Sequence, residues 1–377
     1  MQKKVITLLN IPLRIIDDDF NLLGEVDQYS SVQIGISWSD IGELELQINR
    51  YLQHADKLIK GNIVFPYNRL DQAYIIRHRE IELDENGKQT ENWRIKALSL
   101  KTFTSQRLIY PAPEKAHEEV TGDVETVMRH FVDTQMINPV DPNRVFPNLV
   151  LADNQNRGPE IEEKARYDPL NEKLKELSEL HGLGWNIELD LQNKQFVFVI
   201  NEGRNLVANQ VGLPQAIFST EFETIESLEY TESDLEYKNF AIVAGQGEGI
   251  YRKIVQIGEA VGKDRYEMFV DARDLTTNAG LVKRGNEKLA EHAQEVYLGG
   301  QILTTSRLIY DEDYSVGDMV TVRDKGWGVT MDTRITAAKV ICEYGMRKVE
   351  VVFDNDKPTF ISKMRREIDA LKYELKK

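Results

Sequence analysis

Residues 60–65 read Lys-Gly-Asn-Ile-Val-Phe, and residues 316–322 read Val-Gly-Asp-Met-Val-Thr-Val. In each, a glycine followed by Asn or Asp opens an apolar run. A hairpin pattern comes next, over 73–82 and 93–100 after the first run and over 333–343 and 348–353 after the second. Polar turn residues ahead of β-branched runs are the signature of antiparallel strands. Two similar strand segments therefore lie near the two ends of the chain. The identity between them is weak, and small β-barrels share such turns by chance. The pattern alone leaves duplication and coincidence both open.

Outward from the first motif, residues 13–17 and 22–29 flank the Asp17-Asp18-Asp19-Phe20-Asn21 turn and read as a hairpin. Leu44, Leu46 and Ile48 alternate with polar neighbours, the period of a half-buried strand. Asn86-Gly87 supplies the positive φ angles of a tight hairpin. Residues 1–110 thus predict a small antiparallel barrel or sandwich. The apolar run 5–13 lacks a small-residue cleavage pattern and is expected to be a first strand, not a leader.

Pro111 and Pro113 mark a boundary, and residues 111–215 read as a helix-containing insert. Residues 120–132 predict a helix capped by Thr121 or Asp123, with Val124, Val127, Met128 and Phe131 inward. Asp168-Pro169 predicts a second helix start, with Leu170, Leu174, Leu177 and Leu180 inward and Gly182 as its stop. Residues 185–191 and 195–201 read as a hairpin, and strands are expected over 216–222, 228–231 and 239–244. A central α/β domain is expected over 216–298, including a helix at 279–296 with Leu281, Val282, Leu289 and Ala293 inward. The second barrel is expected over 299–356 and a terminal helix over 357–377. The fold class is α+β and mostly β: two small antiparallel β-barrels, central α/β domains and a C-terminal helix.

Of the 377 residues, 41% are hydrophobic and 29% charged, so cores can form. The net charge of −15 argues against free binding to nucleic acid or anionic membrane, both of which require a basic face. No window is long and apolar enough to span a bilayer. The one cysteine, Cys342, cannot form an internal disulfide and lies in a strand-like run, where an inert buried thiol is expected.

Six histidines show no metal-ligand spacing, and no nucleophile elbow is present. Gly245-Gln246-Gly247-Glu248-Gly249 follows a strand, as a dinucleotide fingerprint does. The residues after it read as a second strand, so no helix N-terminus is there to hold a phosphate, and a hairpin turn is expected. Asp271-Ala272-Arg273-Asp274 reads as a charge-paired turn. Carboxylates are abundant enough that counting does not exclude a two-carboxylate hydrolase. No catalytic, cofactor-binding or metal residue is assigned, and no enzyme is expected. Trp327, in Lys325-Gly326-Trp327-Gly328, is expected on an exposed loop as a candidate partner contact.

Ile361, Met364, Ile368, Leu371 and Leu375 repeat at alternating three- and four-residue spacing, the a/d pattern of a coiled coil, for about two heptads. They are the candidate oligomer interface. The alternative is an amphipathic helix folded back on its own domain.

Three further stretches carry a family resemblance. The first is Leu13-Arg14-Ile15-Ile16-Asp17 with Phe20-Asn21-Leu22-Leu23-Gly24 and 42–46. The second combines Phe218-Ser219 and Phe222 with Asn239, Val243, the glycine run, Arg252, Glu267 and 269–274. The third is 313–322. In this order they resemble the tail hub proteins of long-tailed bacteriophages, the family that forms the N-terminal part of tail-associated lysins. The resemblance implies a hub fold shared with contractile-tail baseplates, with two small barrels per subunit. It also implies a homotrimer whose pseudo-sixfold face docks on a hexameric tail tube. The implied partners are tail tube and distal tail proteins, the tape-measure protein, and tip or receptor-binding proteins. The implied place is the virion tail tip, after synthesis in the host cytoplasm. Many relatives continue into a peptidoglycan hydrolase or receptor-binding region; none is expected within residues 1–377, and no catalytic residue carries over. Alternatives are a peptidoglycan hydrolase acting during entry and the hub of a phage-derived injection system.

Overall fold

The computed structural model describes residues 10–81, 90–292, 294–302, 306–343 and 345–353. The expected first strand lies mostly outside them, as do the Asn86-Gly87 turn and the whole terminal helix with Ile361, Met364, Ile368, Leu371 and Leu375. The chain forms two compact units. The first comprises Met1–Ser227 and Gly300–Phe353, and the described part of the second is Leu228–Gly299.

Strands β1 (Leu13–Ile16) and β2 (Leu22–Val26) form the expected hairpin. Its turn is held by Asp17, whose carboxylate accepts from the backbone N–H of Asp19 at 3.1 Å and of Asn21 at 2.8 Å. Next come β3 (Ser31–Ser37), β4 (Glu43–Asn49), β5 (Ile63–Pro66), β6 (Tyr74–Glu80) and β7 (Asn92–Ser99). They pair antiparallel in the order β3-β4-β7-β6-β5-β1-β2. In β4, Leu44, Leu46 and Ile48 are fully buried, as the alternation requires.

A middle layer follows: β8 (Glu118–Asp123), α1 (Val124–Val132), β9 (Leu149–Leu151), β10 (Glu160–Ala165), α2 (Leu170–His181), β11 (Gly184–Asp190) and β12 (Gln195–Asn201). Three expectations are corrected here. Residues 120–123 belong to β8, paired with β10, because β-branched Val120 and Thr121 suit an extended edge; the helix starts only after Asp123, which accepts from Thr126 N–H at 2.8 Å. Asp168 does not cap α2. The backbone of Asp168 is tied to Ile109, and its carboxylate turns back to Arg166 N–H. Leu180 is exposed, one step off the stripe of Leu170, Leu174 and Leu177, whereas Gly182 ends the helix with φ +72° as expected. The layer shares one apolar cluster with the first sheet, running from Phe20, Ile63 and Phe65 to Trp185, Phe196 and Phe198.

After β13 (Ile217–Ser219) the chain leaves the first unit through β14 (Ile225–Ser233). The second unit is a three-stranded sheet of β15 (Phe240–Ala244), β16 (Ile254–Ile257) and β17 (Glu267–Asp271), with α3 (Asn278–Glu291) on one face. Leu281 is buried beneath Ala241, Val243 and Val270, but Val282 points to solvent; Ala293 lies outside the described residues. The chain returns along β18 (Glu295–Ile302) to β19 (Met319–Asp324), β20 (Val329–Glu343) and β21 (Met346–Phe353).

The start of β20 pairs with β19, and the rest lies between β21 and β3. The β3–β20 pairing fuses the two end segments into one sheet. The fold is mostly β, with several sheets and few helices. No ring of pairings closes among the described residues.

Candidate assembly sites

The Gly61-Asn62 and Gly317-Asp318 turns share one backbone hydrogen-bond pattern. Gly61 and Gly317 hold φ +96° and +98°. Gly61 N–H donates to Ile76 O at 3.0 Å, and Ile76 N–H returns to Asn62 O at 2.9 Å. Gly317 N–H donates to Ile335 O at 2.7 Å, and Ile335 N–H returns to Asp318 O at 3.0 Å. Each turn closes three residues back, from Asn62 N–H to Ile59 O and from Asp318 N–H to Ser315 O. The strand registers then coincide: Ile63 faces Ile75 as Met319 faces Arg334. A bulge follows at the same step, between Ile76 and His78 in β6 and between Ile335 and Ala337 in β20.

The surroundings differ. A Cβ on Gly61 would meet open space, whereas one on Gly317 would enter the Trp38 indole. A Cβ on Gly184 would enter the same ring, so two glycines make room for it. Trp38 N–H donates to Thr336 O at 2.8 Å, from the bulge residue of β20, and the Arg334 guanidinium lies 5.5 Å from the ring centroid. Lys101 closes the joint. Its ammonium donates to Ser37 O at 2.8 Å and Trp38 O at 3.0 Å, and sits 4.8 Å over the Trp185 ring. Burial pushes its pKa down to about 7, against the opposing pull of Asp40. Asp318 is also buried, accepting from Ser315 N–H at 2.7 Å, Arg204 N–H at 2.8 Å and the Arg204 guanidinium at 2.6 Å. Asn62 makes one side-chain bond, to Lys57 O at 2.8 Å.

The hairpin tips differ in the same way. The β5–β6 tip is docked: Leu70 O accepts from Leu189 N–H, Asp71 O from the Asn186 amide, and Arg69 is ion-paired with Asp71 and Asp311. At the β19–β20 tip Trp327 is 53% exposed, as its sequence context predicts. Lys325 reaches Glu221 at 2.9 Å and so brings Phe222, 50% exposed, to the same end. The sequence reading missed Phe222 by placing it inside a strand; β13 ends at Ser219.

A family model for the siphovirus ReqiPepy6 Gp37-like protein matches residues 12–353. The chain belongs to that family. No curated protein matches it in sequence. The fold of this Gp37-like chain is that of prophage tail proteins. The 43 kDa tail protein of prophage MuSo2 from Shewanella oneidensis has a TM-score of 0.61 at 10% identity, over 91% of this chain and 98% of its own. A tail protein from Neisseria meningitidis MC58 scores 0.58 at 13% identity, covering 92% and 97%. Prophage tail protein gp18 from Listeria monocytogenes EGD-e scores 0.53 at 14% identity, covering 96% and 99%.

The remaining sequence candidates of this Gp37-like chain resolve into structure. The Gly245–Gly249 run connects antiparallel β15 and β16, with Gly245 N–H donating to Lys253 O. Asp271 pairs with Arg252 and Arg273, and Asp274 with Arg284. Cys342 is buried, which pushes its thiol pKa up. Among the described residues no group of three His, Cys, Asp or Glu side chains is placed to hold a metal, and no helix is long and apolar enough to cross a membrane. Glu188 stands out by its titration. Burial, with Asp71 adding and Arg69 opposing, pushes its carboxyl up to about 7, and it lines an open hollow of about 670 Å³ with Asp153, Arg157 and Glu202.

Proposed function

We propose that this chain is the structural hub of a phage or prophage tail tip. Three copies form a ring that joins the tail tube to the distal tip and guides the genome. The observation that carries this reading is the repeated backbone of the Gly61 and Gly317 turns, with equal registers and equal bulges. It supports two equivalent barrel-like segments per copy, and three copies then offer six similar docking elements to a sixfold tube. The five-part organisation read from the sequence belongs to the same proposal, as do the tape-measure, tail tube, distal tail and receptor-binding partners. Trp327 is the proposed tube or tip contact, now joined by Phe222. The C-terminal heptads are proposed as a supporting oligomer contact. The hub of a phage-derived injection system would use the same ring. Native mass spectrometry of the full chain tests the reading: three copies are expected. A strict monomer at high concentration, with no assembly on tube or distal-tail proteins, overturns it.

A second reading, a peptidoglycan hydrolase, draws on Glu188, whose raised pKa suits a general acid near neutral pH. A zymogram decides it. Clearing that disappears in Glu188→Gln supports a hydrolase, and no clearing at high protein load removes the reading.

A further inference from the structure

In the middle layer of the first unit, residues 107–110 and 166–169 run side by side. Ile109 N–H donates to Asp168 O at 2.8 Å, and Tyr167 N–H to Ile109 O at 2.7 Å. Ile109 is buried, so the alternation turns Leu108 and Tyr110 outward. Tyr167 holds φ +62°, a conformation uncommon for a bulky side chain, and its ring lies 5.8 Å from that of Tyr110. Leu108, Tyr110 and Tyr167 are each about half exposed. Three guanidiniums frame them. Arg144 donates to Leu108 O at 2.6 Å and lies 5.7 Å from the Tyr110 centroid. Arg166 lies 4.7 Å from the Tyr167 centroid and donates to its hydroxyl at 3.2 Å. Arg107 donates to Arg144 O at 3.1 Å. None of the three is ion-paired among the described residues. Asp141 and Asp168, the acids beside them in sequence, accept from the backbone N–H of Asn143 and Arg166 instead. Burial, and then the charge of Arg107, lowers the Arg144 pKa.

This patch sits at the C-terminal end of α1: Tyr110 N–H donates to the Gln135 side chain at 2.9 Å, in the π-helical turn (Asp133–Ile137) that continues the helix. The N-terminal end carries the opposite sign. There the N–H groups of Val124 and Glu125 donate to Pro159 O and Arg157 O, and the Asn154 amide reaches the Thr126 hydroxyl at 2.8 Å. The loop that holds the first turn of α1 in this way also lines, with Glu188 and Glu202, the hollow of about 670 Å³. The cation in that lining, Arg157, is paired with Glu125 at 3.0 Å. Asp153 and Glu202 have no ion pair among the described residues. The two ends are separated by about 20 Å at 1.5 Å per residue. A long polyanion on the patch would meet the repulsion of a net charge of −15 all around it, and its phosphates have no use for Leu108. A protein surface answers both the arginines and the apolar side chains, and Arg and Tyr are the side chains that anchor such contacts. This chain itself offers an acidic hollow at the far end of the same helix. Complementary surfaces at opposite ends of one element make a head-to-tail contact, which closes into a ring when its rotation permits.

We infer that the Arg107, Arg144 and Arg166 patch of one copy docks on the Asp153, Glu188 and Glu202 hollow of a second copy of this chain. The inference rests on the ring proposed above and names its contact. Native mass spectrometry of the full chain tests it with a patch variant (Arg166→Glu), a hollow variant (Asp153→Lys with Glu202→Lys) and a chain carrying all three changes. These side chains are exposed, so circular dichroism is expected to stay unchanged. Rings are expected from the wild type. The patch and hollow variants should each lose about tenfold or more in ring fraction at equal concentration. The combined variant should regain rings, because each contact then sets glutamate against lysine again. Tyr110→Ser keeps the backbone bond to Gln135 and changes no charge, and it too should weaken the ring. Undiminished rings in the patch or hollow variant, or a combined variant no better than either, overturn this contact and leave the ring reading standing. A patch variant that keeps its rings and loses a tail tube protein assigns the patch to that partner and equally overturns the contact. A wild type that forms no ring overturns both.

Discussion

At Gly61 the chain holds φ +96° over open space; at Gly317 it holds φ +98° beneath an indole ring. Asn62 sits half-exposed with one side-chain hydrogen bond, while Asp318 is 3% exposed and accepts three short ones. The bulge residue Arg77 points to solvent, whereas Thr336 gives its carbonyl to Trp38. One backbone solution thus serves two environments. In the first segment the turn needs only a residue that tolerates positive φ. In the second, the same turn has become the floor of a joint where β3, β11 and β20 meet around Trp38.

Alanine at the two glycines gives the widest separation. Gly317→Ala adds the cost of positive φ to a methyl group driven into the buried Trp38 ring, so a loss of about 3–5 kcal/mol is expected. Gly61→Ala meets the conformational cost alone, about 1–2 kcal/mol. Urea midpoints of the two variants measure the difference. Equal losses would show that Trp38 moves aside and that the slot is not tight.

The second residue of each motif comes next. Asp318→Ala strands the Arg204 guanidinium and two backbone N–H groups, with an expected loss of about 2–4 kcal/mol. Asn62→Ala removes one partly exposed bond, worth about 0.5–1 kcal/mol. The same denaturation experiment reads both. A loss at Asp318 no larger than at Asn62 would mean that water replaces the carboxylate at no cost.

What the sequence disclosed follows from the range of each interaction. The alternation of Leu44, Leu46 and Ile48 is local and fixes a strand face by itself, and Asp17 writes its own turn. The Gly-Asn and Gly-Asp turns are each legible because φ is a local property, but their equivalence is not, since the matching bonds to Ile76 and Ile335 exist only in the fold. The role of Trp38 was not visible, since Gly184, Gly317 and Thr336 reach it only through the fold. Residues 120–123 were misread because their apolar spacing runs smoothly into α1, and the β8–β10 pairing that decides them lies about forty residues away. Phe222 escaped for the opposite reason: a short β13 ends three residues earlier than its composition implies, which frees the ring.

Lys101 makes the joint around Trp38 pH-sensitive. Its folded pKa is about 7 and its ordinary value 10.5. Between those limits the unfolded chain binds more protons than the folded one, so stability rises with pH across the window. Below pH 7 the amine is charged in both states, and the burial penalty is felt in full, on the order of 5 kcal/mol between the ends of the window. Lys101→Met removes the titration and leaves the carbonyls of Ser37 and Trp38 without their donor. Its stability is therefore expected to be flatter with pH than the wild type's between pH 7 and 10. Melting curves at several pH values measure the two slopes, and parallel profiles would exclude Lys101 as their source.

The smallest effect on stability is expected at the β19–β20 tip, where the exposed ring is Trp327. The β5–β6 tip is spent inside the molecule, tied by Arg69, Leu70 and Asp71. The β19–β20 tip keeps Trp327 half in water, held through its backbone by the Asp324 carboxylate at 2.9 Å and not through its ring. Removing the ring leaves that bond intact, so Trp327→Ala is expected to change stability by no more than about 0.5 kcal/mol. If the tip is a partner contact, the same variant weakens binding to tail tube or tip proteins about tenfold or more, because exposed tryptophans at interfaces carry a disproportionate share of the affinity. Adding Phe222→Ala should deepen the loss, since Lys325 and Glu221 hold the two rings at one end. A co-sedimentation assay with assembled tubes reads the binding and a melting curve reads the stability. Full binding by the double variant would confine docking to other surfaces and leave the tip an ordinary exposed turn.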